Sequence, residues 1–273
     1  MASLTATRHV VSPAGRSAPD IPGLAEYHAD LVRPYGVSLD EELWATGPQV
    51  GFPTLVDRLL DADEESSTLD PDLIVVAYAF PDLHPFVTTA SYLNHRFGDQ
   101  AKSFAVSEQG LLAPFTALQI VSAYQRSGRS RRAVVAVLEQ TTLPTHDPLV
   151  HDTGLIDTGV LLGLDADDGC HPRVLRAGAE GRNLGGLHSL LDDPAHGATL
   201  LVTSERTAPP TATRADIHRA RSDTYCTGVW LELSDRLPQW RIQYDTIVLH
   251  DADPRSGARA TAVIDLTGRR TSW

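Results

Sequence analysis

The run Leu73 to Phe80 (LIVVAYAF) is continuously apolar and is bounded by Pro71 and Pro81. It is too short for an ordinary helix, and its β-branched residues suit a strand. A strand with one wet face would alternate polar and apolar positions, so an unbroken run implies burial on both faces. Such a strand needs helices on either side of its sheet. Three further runs read the same way: Ala133 to Glu139, Gly159 to Asp165 and Ala198 to Ser204. Between them lie helical patterns. Leu55, Val56, Leu59 and Leu60 share one face after Pro53, a helical segment carries Leu93, and Pro114 to Tyr124 is amphipathic. A short strand is expected at Ser103 to Ser107, and a helix at Thr224 to Leu237. Two strands joined by a turn at Pro254 to Gly257 close the chain. Strands alternating with helices predict an α/β protein with parallel pairing. A strand and helix followed by a closing strand pair, met twice, suggests an internal duplication.

The first fifty residues read as an irregular arm, punctuated by Pro13, Gly15, Pro19, Pro22 and Gly23, with short helices at Ala25 to Val32 and Leu39 to Trp44. With 273 residues the chain can bury a large core. A formal charge of −12 argues against phosphate backbones and anionic lipid as general partners, so neither nucleic acid nor membrane is expected. Two cysteines, Cys170 and Cys226, make no disulfide framework, and no apolar stretch reaches the length of a membrane span. The expected compartment is the cytoplasm.

Five stretches, in order, resemble the β-ketoacyl-acyl carrier protein synthase III family. LDPDLIVVAYAFPD is similar to its first buried strand. FAVSEQGLL with ALQIVSAYQRSG resembles its nucleophile elbow and the helix behind it. RRAVVAVLE ends in an acid, Glu139, as the family strand does, and LIDTGVLLGLD sets Asp157 on a family aspartate. SDTYCTGVWLELSDRLPQWRIQYDTIVLHDAD follows the family's closing segment. The resemblance implies a thiolase-like α/β fold: duplicated βα halves with mixed five-stranded sheets, helices between and around them. The halves would be residues 1–165 and a shortened 166–273.

The resemblance also says where chemistry would lie. The family's acylated cysteine falls on Gly110 counted from one side and on Leu111 counted from the other. Its histidine falls on Ser204 and its asparagine on Asp223. None of these can replace the original groups, because a thiolate, an imidazole and an amide are all missing. DPRSG stands where the family has a run of glycines that lets backbone approach a reacting carbonyl. The family's Trp and Arg pattern for coenzyme A is not visible, although Trp44 lies in that region.

Other residues also carry reactive groups. Ser107, Glu108 and Gln109 sit at the elbow, where a glutamate would make a base. Cys226 lies three residues past Asp223 and reads as packing. Ser204 with Asp223 and a histidine would hint at a hydrolase triad, but spacing ties no histidine to them. His146, His151 and Asp152 read as a solvated loop rather than a metal site, and His84 and His95 as capping or surface residues. No metal or cofactor is implied. The expected function is a catalytically silent ketosynthase III-like subunit, comparable to a chain length factor. Its partner would be an active ketosynthase, or a second copy of itself, with acyl carrier protein as a further candidate. The alternative is an enzyme reusing the same pocket for acyl transfer, hydrolysis or cyclisation.

Overall fold

The computed structural model describes residues 2–12, 21–61, 69–166, 172–179 and 186–267. The first repeat runs β1 (Ala2–Val11), α1 (Leu24–Val32), α2 (Glu41–Thr46), α3 (Phe52–Asp61), β2 (Leu73–Tyr78), α4 (Thr89–Arg96), β3 (Lys102–Val106), α5 (Ala113–Arg126), β4 (Arg132–Glu139), α6 (Pro148–His151) and β5 (Thr158–Ala166). The second runs β6 (Arg173–Ala179), α7 (Leu187–Leu191), β7 (Thr199–Ser204), β8 (Asp216–Ala220), α8 (Gly228–Gln243), β9 (Thr246–Ala252) and β10 (Arg259–Asp265).

The strands lie in the order β3-β2-β4-β5-β1-β6-β10-β9-β7-β8. Within each set of five this is third, second, fourth, fifth, first. Directions repeat too: β2 runs parallel to β3 and β4, as β7 does to β8 and β9. The fourth strand then meets the fifth, and the fifth the first, antiparallel. Among the described residues the two sets pair through Ala2 with Val174 and Ser3 with Arg173, and the Leu4 amide donates to the Pro172 carbonyl at 2.7 Å. The duplication suggested by the sequence is therefore explicit in the topology, and the pairing is mixed rather than all parallel.

Alternation along each strand divides the core. Leu73, Val75, Ala77, Val135 and Val137 face the cluster that also holds residues of α5 and α8. Ile74, Val76, Val134, Ala136 and Leu138 face a second cluster with α3 and α4. In the second repeat Leu201, Val248 and Val263 pack with Leu190 and Leu191 of α7. So α5 and α8 form a central layer between the two sets of strands, where Phe115 and Trp230 meet edge to face at 4.8 Å.

Three strands differ from expectation. Residues 2–11 form β1, a long strand beside β5, where an irregular arm was expected. β6 and β8 were also not anticipated, because their residues alternate in burial or stay exposed and contain no apolar run. The last helix begins at Gly228, four residues later than expected, since the preceding segment bonds elsewhere. It continues through Pro238 to Gln243, where buried Trp240 extends its apolar side. Among the described residues no helix is long and apolar enough to cross a membrane.

Candidate functional site

The elbow between β3 and α5 is built from left-handed backbone. Glu108 has φ 63° and Gly110 φ 54°, and Gly110 to Leu112 form a 3₁₀ turn that leads into α5. Glu108 and Gln109 stand exposed at the surface, and Gln109 accepts a hydrogen bond from the Thr116 hydroxyl at 2.6 Å. Ser107 is half-buried and Leu111 buried.

Gly110 has no room for a side chain. A Cβ built there would overlap Asp253 Oδ2 and lie 2.7 Å from the Tyr225 hydroxyl oxygen, and the positive φ itself favours glycine. The two groups that fill this place hold each other, since the Tyr225 hydroxyl donates to Asp253 Oδ2 at 3.0 Å. Asp253 Oδ1 accepts the Arg255 and Ser256 amides at 2.7 and 3.3 Å, so the carboxylate also closes its own turn. Tyr225 packs on Phe80 at 5.5 Å, and the Arg255 guanidinium lies over the other ring at 5.3 Å. Arg255 also donates to both oxygens of Asp147, at 2.7 and 2.6 Å. Burial pushes the Tyr225 hydroxyl well above its usual pKa, and the neighbouring Asp253 charge adds to this. Tyr225 is therefore a neutral donor at physiological pH.

Cys226 is no nucleophile either. It is 2% exposed, its sulfur lies 3.7 Å from the Leu138 carbonyl, and burial followed by the nearby Glu139 pushes its thiol far up. A protonated thiol does not attack. Glu139 is fully buried and receives the amides of Tyr225 at 2.8 Å and Cys226 at 2.5 Å. Burial raises its pKa against the pull of those bonds. Asp157 likewise accepts the Thr141 amide and hydroxyl, both at 2.8 Å, with its pKa raised by burial. Both acids staple loops to strand ends.

Ser204 and Asp223 belong to different groups. The Ser204 hydroxyl donates to Asp251 Oδ1 at 2.6 Å, and Thr207 donates to the same oxygen at 2.6 Å. Burial raises the Asp251 pKa, while these hydroxyls lower it. Asp223 instead forms a fork with Arg221, at 2.5 and 2.7 Å, which holds its carboxyl below the usual range. It lines a polar cleft of about 580 Å³ with His9, Glu205, Glu232 and Arg236. The Ser204, Asp223 and histidine arrangement considered from sequence is thus replaced by Ser204 with Asp251. The nearby His250 bonds Thr261 at 3.0 Å, and burial lowers its pKa to about 4.

His146 bonds Asp152 at 2.9 Å and its ring stacks on His151 at 5.2 Å, while His151 Nδ1 accepts the Asp147 amide at 2.9 Å. Among the described residues no group of three or more ligating side chains is placed to hold a metal ion. His95 pairs with Asp99 at the surface, and His84 lines a separate cleft. Cys170 lies outside the described residues. Sequence reasoning missed Tyr225, Asp253, Phe80 and Arg255 as the groups around Gly110. The only signal was DPRSG standing where glycines were expected.

No protein-family model and no curated protein sequence matches the chain. Solved structures do match it. Cerulenin-bound OleA from Xanthomonas campestris aligns over 97% of this chain and 98% of its own, with TM-score 0.62 and 14% identity. A cysteine-to-serine variant of OleA with bound lauric acid and lauroyl-CoA aligns over 97% and 98%, with TM-score 0.60 and 14% identity. Acetamide-bound OleA gives 97%, 98%, 0.62 and 13%. The fold is thiolase-like. OleA is a thiolase-fold condensing enzyme related to the ketosynthase III family, and at these identities the likeness is one of fold. In this thiolase-like frame, Gly110 stands at the start of the first repeat's central helix, and Asp253 reaches it from the end of the second repeat's fourth strand.

Proposed function

We propose that this chain is a catalytically silent ketosynthase III-like subunit, working in the cytoplasm as partner of an active ketosynthase in polyketide or related acyl-chain assembly. One observation carries the reading: the side-chain space at Gly110 is occupied by the Tyr225 hydroxyl and the Asp253 carboxylate. A thiolate could not be accommodated there without displacing both, and the carboxylate would repel it. The neighbouring Cys226 is protonated and buried, and Ser204 is already bonded to Asp251.

Pairing with another chain is supported by the sheet edge. β3 is the outermost strand of the first repeat, and its Ala105 is exposed. An open parallel edge invites another strand. Phe86 and Val87, also exposed, add apolar surface outside the core. An obligate interface on this face would exceed about 2,000 Å². The active partner would then take its substrate from acyl carrier protein.

Intact mass spectrometry after incubation with acyl-loaded carrier should show no covalent adduct, and co-expression with an intact ketosynthase from the same gene neighbourhood should give one co-eluting species. An adduct on Ser107, Ser204 or Cys226, or turnover by the chain alone, would replace this reading with that of an enzyme reusing the pocket.

A further inference from the structure

The turn between α5 and β4 has no part in the groups described above. In a chain of net charge −12, its sequence RSGRSRR carries four arginines, Arg126, Arg129, Arg131 and Arg132, and all four are exposed. The backbone beneath them is held at several points. The Ser127 amide donates to the Ala123 carbonyl at 3.1 Å, Gly128 to Gln125 at 3.1 Å and Arg129 to Tyr124 at 2.9 Å, with Gly128 left-handed at φ 68°. The Asp72 carboxylate accepts the amides of Arg131 and Arg132 at 2.8 and 3.4 Å. Ser130 is 2% exposed, so the chain is anchored inward between the outward-standing Arg129 and Arg131.

Most of this charge is unanswered. Among the described residues Arg132 pairs with Asp70 at 2.7 Å, while no carboxylate pairs with Arg126, Arg129 or Arg131. Four arginines against Asp70 and Asp72 leave a positive surplus on one turn of an acidic chain. Arg126 has an ordinary reason to be there, since it lies in the last turn of α5, where the helix dipole favours a cation. Arg129 and Arg131 lie beyond the helix and have no such reason. Their Cα atoms are less than about 8 Å apart, so the two charges act together within a Debye length at physiological salt. Guanidinium forks match carboxylates in geometry as well as charge. A long polyanion would run off the turn onto a surface with surplus acid and be repelled there, whereas a short acidic segment would not. The turn is also far from the other features: α5 has 14 residues, which puts about 21 Å between its two ends and hence between the turn and Gly110.

We propose that the α5–β4 turn docks an acidic segment of another protein, whose carboxylates pair with Arg126, Arg129 and Arg131. The surface is independent of the silent-subunit reading, because it shares no residue with the edge strand β3, with Phe86 and Val87, or with the group around Gly110.

The test uses the whole chain with a fluorescent deca-glutamate peptide as probe, followed by anisotropy at low ionic strength. Wild type should bind the peptide and lose it as salt is raised. The triple variant Arg126→Gln, Arg129→Gln, Arg131→Gln should bind about tenfold more weakly, as three exposed pairs together would give. A control variant, Arg33→Gln, Arg214→Gln, Arg259→Gln, removes the same charge at exposed positions elsewhere and should bind as wild type does. In wild type labelled with ¹⁵N-glycine, the peptide should shift the Gly128 amide and leave that of Gly257, in the turn after β9, unmoved. A single-stranded oligothymidylate several times the peptide's length should bind more weakly than the peptide. If wild type does not bind the peptide, if the control variant loses as much affinity as the triple variant, or if Gly128 stays still, the proposal is wrong. Tighter binding of the oligothymidylate would also overturn it, by making the turn a nucleic-acid surface. The wild-type spectra decide the matter even if the triple variant does not fold.

Discussion

The fourth strands of the two repeats, β4 and β9, end in the same way and do opposite work. β4 closes on Glu139 and β9 runs into Asp253, and each carboxylate crosses to the central helix of the other repeat. Glu139 meets the segment entering α8, taking the amides of Tyr225 and Cys226, and Asp253 meets the segment entering α5 beside Gly110. An acid near a helix N-terminus is favoured by the helix dipole at both places. Glu139, however, is satisfied chiefly by backbone amides, with the Thr227 hydroxyl more distant at 3.5 Å. Asp253 is satisfied by the Tyr225 hydroxyl and by its own turn, and it stands where a side chain on residue 110 would go. The comparison separates a crossing that ends on backbone amides from one that fills the side-chain space at residue 110.

The strongest way to break the comparison is at Glu139. Truncation in Glu139→Ala leaves two buried amides without acceptors, and a loss of about 4 kcal/mol is expected. Urea denaturation of the variant should show it, whereas a change below about 1 kcal/mol would mean that the crossing from β4 holds nothing.

The strands also differ in pH response. Glu139 has a folded pKa raised above its ordinary 4.5, so its contribution is present below that value and is lost as pH rises through the folded value. His250, inside β9, has a folded pKa lowered from 6.5 to about 4. Its contribution is therefore full above pH 6.5 and is lost as pH falls towards 4, by about 3 kcal/mol. Between pH 7 and pH 4, stability relative to its value at pH 7 should become higher in His250→Gln than in wild type, whatever the opposite contribution of Glu139. Parallel curves would place acid sensitivity elsewhere.

Much of this frame was legible in the sequence. β2, β4, β5 and β7 are buried on both faces, so they read as apolar runs whatever surrounds them. β1 was not legible, because Thr5, Thr7, Arg8 and His9 give its outer residues the look of a loop, and the adjacent prolines reinforce that look. The continuation of α8 past Leu237 was missed for a related reason: Pro238 says stop by local propensity, and the buried Trp240 overrides it. For the candidate site, the resemblance pointed to Gly110, Ser204 and Asp223, but not to the groups the structure places around Gly110. Tyr225 and Asp253 are remote in sequence from Gly110 and read as ordinary polar residues, and only the crossing of the two repeats brings them to it.

Room at residue 110 gives a sharper test of the Asp253 side. Gly110→Ala should cost about 2 to 3 kcal/mol, from the left-handed backbone together with overlap against the carboxylate. Asp253→Gly removes the obstacle and leaves the backbone strain, so the double variant should recover about 1 kcal/mol relative to the sum of the single changes. Strict additivity would mean that Asp253 does not occupy this place in solution.

The smallest effect is expected at the outer end of the same group. Arg255 covers Phe80 and pairs with Asp147, yet about half of its side chain is exposed, at 48%, against 25% for Asp147. Screening by water holds such a pair to less than about 1 kcal/mol, and salt weakens it further. Arg255→Ala should therefore lower stability only slightly, and raising the salt concentration should narrow the gap to wild type. The change also removes the cover over Phe80 while leaving the bond between Tyr225 and Asp253 in place. If filling at Gly110 is set by that inner pair, Gly110→Ala should be as costly in the Arg255→Ala background as in wild type. A large fall in that cost would show that the surface ion pair, rather than the buried tyrosine and aspartate, keeps the place closed.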